Sequence, residues 1–312
     1  MTEPFISVVI PAYNAENFIL KTLDSVLSQT YTNYELIVVD DGSIDNTSMI
    51  VENYLNKHNL RWKCIRQHNK KIAGARNTGI QAASGEFIAL LDHDDIWYSN
   101  KLKLVSEVFQ SRPELALVGH HMNVTKDGRF LYMARKGPSV KFMYEYLLFN
   151  GNAITPSGAV VRRNVALSIG GFREDPALNT VEDYDFWLRL SQVGEFYFIE
   201  QALAEYALIE NSASSRVDYH YGNLEFLLRD HFASYYRNSL SLISRLLIRR
   251  RMAIVYRSAA NALSSSGGSH KHQMNYLIRM FCTYPLSILN LYVALRCLIR
   301  TWIRLFELRR VD

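Results

Sequence analysis

Cysteine is scarce and badly placed for chemistry. The three cysteines, Cys64, Cys282 and Cys297, are odd in number and far apart, so they offer neither a disulfide framework nor a zinc-ligand spacing. That usage fits a reducing, cytosolic setting. The amino end reads MTEPFISVVIPAYN, with an acidic residue and a proline where a signal peptide needs a basic end and a long apolar stretch; the expectation is a chain that is not secreted. Long apolar runs are missing too: the stretch from Pro285 to Leu295 is interrupted by Arg296 before it can span a bilayer. There is no internal repeat, and the Ser264–Ser269 stretch reads as a hinge between helices. The first strand is followed by Pro11-Ala12-Tyr13-Asn14-Ala15-Glu16, which is not the glycine-rich basic loop that an enzyme making a nucleotide sugar would need.

With 312 residues, 48% of them hydrophobic, the chain can bury one large core, or one core and a smaller appendage. The net charge of +5 hides an asymmetry. From Tyr221 onward there are 14 Lys and Arg against 4 Asp and Glu, which leaves 21 against 26 before it. An acidic first half therefore precedes a basic tail.

Phe5–Pro11 and Glu35–Asp41 are short apolar runs, the second ending in two carboxylates, and read as buried parallel strands. Between them, Ala15–Gln29 places Phe18, Leu23, Val26 and Leu27 on one helical face, with Asn14 as a candidate cap. A helix after the Gly42–Thr47 turn, a strand at Trp62–Ile65, a small-residue helix at Ala73–Ser84 and a strand at Glu86–Leu91 continue the alternation. This pattern predicts an α/β fold with a mostly parallel, doubly wound sheet. Ligands bind such sheets outside the carboxyl ends of the strands, so Pro11–Asn14, Asp40–Ser43 and Asp92–Asp95 are expected to converge. Residues 101–210 mix ALVGHHMNV, AVVRR and EFYFIE as strands with VEDYDFWLRLSQ as a helix; beyond Tyr219 the chain reads as helical. The predicted domains are 1–219 and 220–312.

The chemistry starts at Asp92-His93-Asp94-Asp95. Three carboxylates within four residues repel one another unless they are solvated or share a cation. Hard oxygen ligands suit Mg²⁺ or Mn²⁺, which hold one or two protein carboxylates and complete their shell with water and substrate phosphates. A bare Asp-x-Asp alone would read as a solvated acidic turn. Here it follows Pro11-Ala12-Tyr13-Asn14, Val39-Asp40-Asp41-Gly42-Ser43, Ala75-Arg76-Asn77-Thr78-Gly79 and Ser84-Gly85-Glu86 in that order.

With this series of motifs the chain resembles the family 2, or GT-A type, glycosyltransferases, over about residues 5–215. The resemblance implies a Rossmann-like GT-A domain with a helical carboxyl-terminal appendage. It implies a nucleotide-sugar site formed by Pro11, Tyr13, Asn14, Glu16, Asp40, Asp41, Arg76 and Asp92, with Asp94 as the metal residue and Asp95 a secondary candidate. Tyr13 offers an aromatic face for a base, Asp40 or Asp41 an acceptor for a uracil N–H, and Arg76 a fork for a diphosphate. Without the resemblance these would be strand-end, turn and exposed helix residues.

Thr180–Arg189 resembles the family's Glu-Asp helix start, which implies Asp183 as catalytic base beside Glu182. A carboxylate in reach of an acceptor hydroxyl takes its proton as it attacks the anomeric carbon; helix capping is the alternative use of the same charge. Inversion at the anomeric centre is implied by the resemblance. Ile154–Gly158 and Ile169–Arg173 match segments that line the acceptor side in relatives.

Two departures stand out. The family's Asn-x-Gly before Ala-Arg-Asn is Asn69-Lys70-Lys71 here, and its Tyr-Arg-x-His-x-x-Ser stretch is Tyr206-Ala207-Leu208-Ile209-Glu210-Asn211-Ser212. The missing Arg and His imply a weaker metal site, a different ligand such as His220, or a sugar-nucleotide-binding protein that no longer transfers. In the tail, Arg245–Arg251 and the stretch Leu286–Leu308, with Arg296, Arg300, Arg304, Trp302 and Phe306, read either as helices on an anionic membrane surface or as a packed pair with a solvated basic face. The acidic first half, with no recognisable nucleic-acid module, argues against nucleic acid.

The expectation is therefore an inverting, metal-dependent transferase. It would move a sugar from a nucleotide-diphosphate donor, a UDP-sugar first, to a glycan or lipid-linked acceptor in polysaccharide, lipopolysaccharide or glycolipid synthesis. It would work in the cytoplasm or on the inner face of the membrane.

Overall fold

Every residue of Ile6–Ala12, the first strand (β1), is buried, which fixes it in the middle of a sheet with both faces covered. In the computed structural model, which describes residues 3–126, 128–208, 217–238, 241–285, 287 and 292, β1 pairs in parallel with β2 (Tyr34–Asp40) on one side and β4 (Phe87–Leu90) on the other. Both partners are also fully buried. β3 (Trp62–Arg66) adds to β2 in parallel and is only partly covered. Three helices make the crossovers: α1 (Ile19–Leu27), α2 (Thr47–Leu55) and α3 (Lys71–Ala82). α3 lies so close to β1 that a Cβ on Gly79 would sit 2.3 Å from a Val9 methyl. A larger residue there would have to push helix and strand apart.

The second half of the sheet is mixed. After β5 (Ile96–Trp97) and α4 (Lys101–Ser111) come β6 (Leu115–Lys126), β7 (Arg129–Ala134), α5 (Met143–Asn150), β8 (Ala159–Arg162), α6 (Arg163–Ser168), α7 (Glu182–Leu190) and β9 (Glu195–Ala207). The strand order is β3-β2-β1-β4-β8-β6-β9-β5, with β7 beside β6. β8 runs antiparallel to β4 and β6, whereas β9 runs parallel to β6. The α/β architecture with a parallel first half and a helical carboxyl-terminal region is the one the alternation predicts. Because β1 leads outward to β2 and back across to β4, the carboxyl ends of these strands border the point where strand order reverses.

Three local readings are corrected. The first helix begins at Ile19 with Phe18 at its cap, so Asn14 caps nothing. Asn14 takes a positive φ of 48° and is used in joining two loops. The EFYFIE strand runs on to Ala207, because β6 offers it pairing as far as Thr125. β7 has no counterpart in the sequence reading: its apolar residues Phe130, Leu131, Tyr132 and Met133 are exposed, so no alternation marks it.

The chain divides into two compact units, Met1–Glu210 and Asn211–Asp312. The described residues of the second form α8 (Val217–Asn238), α9 (Leu242–Ser265) and α10 (His270–Thr283) with short connections. Ser241 caps α9, its hydroxyl accepting the Ser244 N–H at 3.1 Å. α9 and α10 bury Ala259, Ala260, Leu263, Leu277 and Met280, and Glu225 of α8 accepts the Tyr256 hydroxyl at 3.0 Å. Among the described residues no helix is long and apolar enough to cross a membrane. Apart from residues 287 and 292, the stretch Leu286–Leu308 and its arginines lie outside the described residues.

Candidate active site

Loops leaving the carboxyl ends of β1, β2 and β4 are stitched together by short polar bonds. The Asp41 N–H donates to the Ala12 carbonyl at 2.8 Å. The Asn14 N–H donates to Ser43 Oγ, and the Ile44 N–H returns to Asn14 Oδ1, both at 3.0 Å. Glu16 accepts from the backbone and side-chain amides of Asn46 at 3.1 Å each. Asp40 and Asp41 are buried. Asp40 accepts the Ser43 N–H at 2.8 Å and the Ser48 hydroxyl, while Asp41 accepts from Gln67 at 2.6 Å and from the Lys70 N–H at 2.8 Å. Both carboxylates thus hold the loops in shape, whereas Tyr13, 46% exposed, leaves its ring to solvent. Pro11 is buried and its carbonyl lies 3.2 Å from His93 Nδ1, which joins the loop after β4 to the end of β1.

Arg76 ties these loops to the start of α7. Only 2% exposed, it donates from Nη2 to Asp92 Oδ1 and from Nη1 to Glu182 Oε1, each at 2.9 Å. Its guanidinium also lies 5.3 Å from the Phe172 ring centre. Burial works against the charge, but Asp92, Glu182 and Asp183 more than offset it and hold the guanidinium protonated. Neighbouring Asn77 bonds the Phe172 backbone and Glu174, which fastens α3 to the Ile169–Arg173 loop.

Glu182 and Asp183 stand in the first turn of α7. Burial pushes the Glu182 carboxyl up to about 7 against the pull of Arg76, with Asp183 and Asp92 adding repulsion. Asp183 is half-buried; its Oδ2 accepts from Asn152 Nδ2 at 3.1 Å, and its Oδ1 accepts the Tyr184 N–H at 2.7 Å. Burial raises its pKa too, despite Arg76. A half-buried carboxylate with one oxygen steered by an asparagine is suited to taking a proton.

The three carboxylates after β4 occupy different surroundings. The Asp92 N–H is held by Ser157 Oγ at 3.0 Å. Asp95 turns inward, 2% exposed, with one oxygen unpartnered among the described residues. Burial, reinforced by Asp92 and Asp94, pushes its pKa well above the ordinary range. Its inward neighbour Lys101 is fully buried, donates to the Ser157 carbonyl at 2.7 Å and lies 3.5 Å from the Trp97 ring centre; burial lowers its pKa despite Asp95. Asp94 is half-buried, and among the described residues no other side chain donates to it. Burial raises its pKa, His93 opposes and Asp92 adds to the rise.

Asp94 is therefore a carboxylate short of a cation, and that fits Mg²⁺ or Mn²⁺ held by one protein carboxylate and substrate phosphates. Among the described residues no three His, Cys, Asp or Glu form a cage of their own. His220 belongs to α8 in the second unit.

Two residues near this centre went unnoticed as site residues in the sequence. The pKa of the Tyr206 phenol, at the end of β9, is raised by burial and then by Asp95, Asp94 and Asp92. Lys136 follows β7 in a segment with no motif; it is half-buried, and burial lowers its pKa against the attraction of Asp183 and then Asp95.

A profile of glycosyl transferase family 2 matches residues 7–170. The chain is 28% identical over 222 residues to an uncharacterized glycosyltransferase of Rickettsia felis, covering 70% of this chain and only 36% of that longer protein. It is 33% identical over 217 residues to the amylovoran biosynthesis glycosyltransferase AmsB of Erwinia amylovora, covering 67% of this chain and 71% of the relative. Over 105 residues, 33% of this chain and 40% of the relative, it is 48% identical to the Escherichia coli UDP-Glc:alpha-D-GlcNAc-diphosphoundecaprenol beta-1,3-glucosyltransferase WfgD. Among solved structures, S. aureus TarS 1-349 in complex with UDP superposes with a TM-score of 0.65 at 20% identity, over 90% of this chain and 81% of that one. The mannosyltransferase PcManGT of Pyrobaculum calidifontis, in complex with GDP-Man and Mn2+, gives a TM-score of 0.59 at 19% identity, over 96% and 83%. The fold is thus that of the GT-A glycosyltransferases, and, with the profile covering more than half of its length, the chain belongs to glycosyl transferase family 2.

Proposed function

We propose that the chain transfers a sugar from a UDP-sugar to a hydroxyl of a lipid-diphosphate-linked or growing glycan, with inversion. The observation that carries this reading is the Arg76 bridge, which draws Asp92 on the donor side and Glu182, next to Asp183, onto one guanidinium. The acceptor oxygen attacks the anomeric carbon, the bond from that carbon to the diphosphate oxygen breaks, and the acceptor proton passes to Asp183. Asn152 steers the Asp183 oxygen, and Arg76 keeps Asp92 and Glu182 in place without itself reaching solvent. Mn²⁺ or Mg²⁺ at Asp94, once bound with the donor, would supply Lewis-acid neutralisation of the charge on the departing nucleotide. The TarS–UDP and WfgD relationships favour a uridine nucleotide and a diphosphate-linked acceptor.

We read α9 as a contact for an anionic membrane on which such an acceptor is carried. Leu242 and Ile243 are 73% and 70% exposed, with Leu246 and Leu247 beside them and Arg245, Arg249 and Arg250 interleaved. Apolar residues among arginines suit the boundary between headgroups and acyl chains. Sedimentation with anionic and neutral vesicles tests this; binding to neither removes the membrane from the reading.

The first experiment on the site is thermal stabilisation by UDP, GDP, CDP and dTDP, each with and without Mn²⁺, in the wild type and Asp94→Ala. A nucleotide that binds only the folded state raises the melting temperature. Manganese-dependent stabilisation by UDP, lost in Asp94→Ala, is expected. No response to any nucleotide would sink the donor reading. Binding without turnover on any acceptor would favour a sugar-nucleotide-binding protein that no longer transfers, the reading that Ala207 in place of the family's arginine suggests.

A further inference from the structure

A second feature, which the donor site does not use, is a cavity of about 750 Å³. Its wall includes His121 from β6, Arg135 and Lys136 from the segment after β7, Tyr146 from α5, and Phe198 and Glu200 from β9. The segment carrying the two cations is pinned on both sides. The Lys136 N–H donates to His121 Nδ1 at 3.1 Å, and the Gly137 N–H donates to the Ala153 carbonyl at 3.2 Å. Ala153 adjoins Asn152, the residue that holds Asp183. Gly137 has a φ of 94°, and a Cβ there would lie 2.8 Å from the Phe198 ring, so the backbone is pressed against the cavity floor.

The charges facing this space are unequal. Arg135 and Lys136 supply two cations and Glu200 one anion, while burial and the two cations hold His121 neutral in spite of Glu200. Among the described residues neither Arg135 nor Lys136 makes a direct salt bridge. The bond from Gly137 to Ala153 ties this segment to the residue beside Asn152, which holds Asp183; burial lowers the Lys136 pKa, with Asp183 the strongest opposing attraction.

We propose that this cavity receives the acceptor and that Arg135 and Lys136 grip a phosphate or diphosphate attached to the accepting sugar. The proposal rests on the transferase reading above and assigns the acceptor's anionic group to named side chains. Guanidinium and ammonium groups are suited to phosphate oxygens, and the Tyr146 ring offers an apolar face to the sugar.

The test is the dissociation constant of three probes, measured with and without UDP and Mn²⁺. They are N-acetylglucosamine carrying an alkyl diphosphate, N-acetylglucosamine 1-phosphate, and the uncharged alkyl N-acetylglucosaminide. In the wild type a phosphorylated probe should bind about tenfold more tightly than the uncharged one, which is about 1.4 kcal/mol. Arg135→Ala and Lys136→Ala should each reduce that preference severalfold and leave UDP affinity unchanged, which also shows that the variants are folded; Arg135→Lys should retain part of it. Preference for the alkyl diphosphate alone identifies a lipid-linked acceptor, and equal preference for the 1-phosphate identifies the phosphate itself. Equal binding of all three probes, or a preference that survives in both alanine variants, overturns the proposal. Failure of the wild type to bind UDP would instead overturn the donor reading, with the phosphate preference still measurable.

Discussion

Arg76 and Glu182 are 106 positions apart in sequence, yet Nη1 of one lies 2.9 Å from Oε1 of the other inside the first unit. The same guanidinium holds Asp92 at 2.9 Å. Removing it leaves two carboxylates without their cation. Arg76→Ala is therefore expected to cost about 3–5 kcal/mol of unfolding free energy. Glu182→Gln should cost less, because Asp92 still pairs with the arginine. Urea unfolding of both variants and the double variant checks this, and additive losses would show that the pair is not coupled.

Asp183 carries the proposed proton transfer. Asp183→Asn should lower kcat by about 10²–10⁴-fold, with UDP-dependent stabilisation intact. Only the ionised carboxylate can act as base. Burial raises its pKa, so the acid limb of the kcat/KM profile should lie above the ordinary aspartate value and activity should fall as pH drops through it. Asn152→Ala should shift that limb further upward, because it removes a hydrogen bond that favours the charged form. A limb at the usual aspartate position would argue against Asp183 as the base.

Asp94 is expected to behave as a residue kept at some expense to stability. Its folded pKa is raised, so the ionised form is disfavoured and stability is lost as pH rises through that value. Asp94→Asn should melt higher than the wild type at neutral pH without metal, with the gap narrowing as pH falls. The group is half-exposed and screened by water, so the gain should be about 1–2 °C. With UDP and Mn²⁺ the order should reverse, since only the wild type is stabilised.

Lys71 occupies the left-handed region at φ 63°, the position where the family pattern has glycine. An L side chain there costs about 1–2 kcal/mol, part of which the flexibility of glycine in the unfolded chain returns. Lys71→Gly should stabilise the protein by about 0.5–1 kcal/mol in urea unfolding. Weaker UDP binding in the same variant would show that the ammonium assists the donor phosphates.

The legible part of the fold was its parallel half. β1, β2 and β4 are short, mostly apolar and fully buried runs, and their alternation with helical segments marks a sheet covered on both faces. β7 was not legible, because an exposed hairpin arm places no demand on residue type. In the site, Asp94 and Asp183 could be named because each stands in a local motif. Arg76 could be named but not understood: its motif suggested a grip on phosphate, while in the fold both outer nitrogens meet carboxylates.

By itself the sequence determined most of the strands and helices, though not β7 or the start of α1, that carboxylates cluster at strand ends, and that charge divides between an acidic first half and a basic tail. Each of these depends on neighbours within a few positions, where the periodicity of side chains and the repulsion of like charges act. Only the tertiary structure decided that Asp95 turns inward to Ser157 and Lys101 while Asp94 stays half-buried, and that Lys136 comes within electrostatic reach of Asp183. Those outcomes depend on burial and on charges brought from distant strands, and desolvation has no value until the chain has closed around the group.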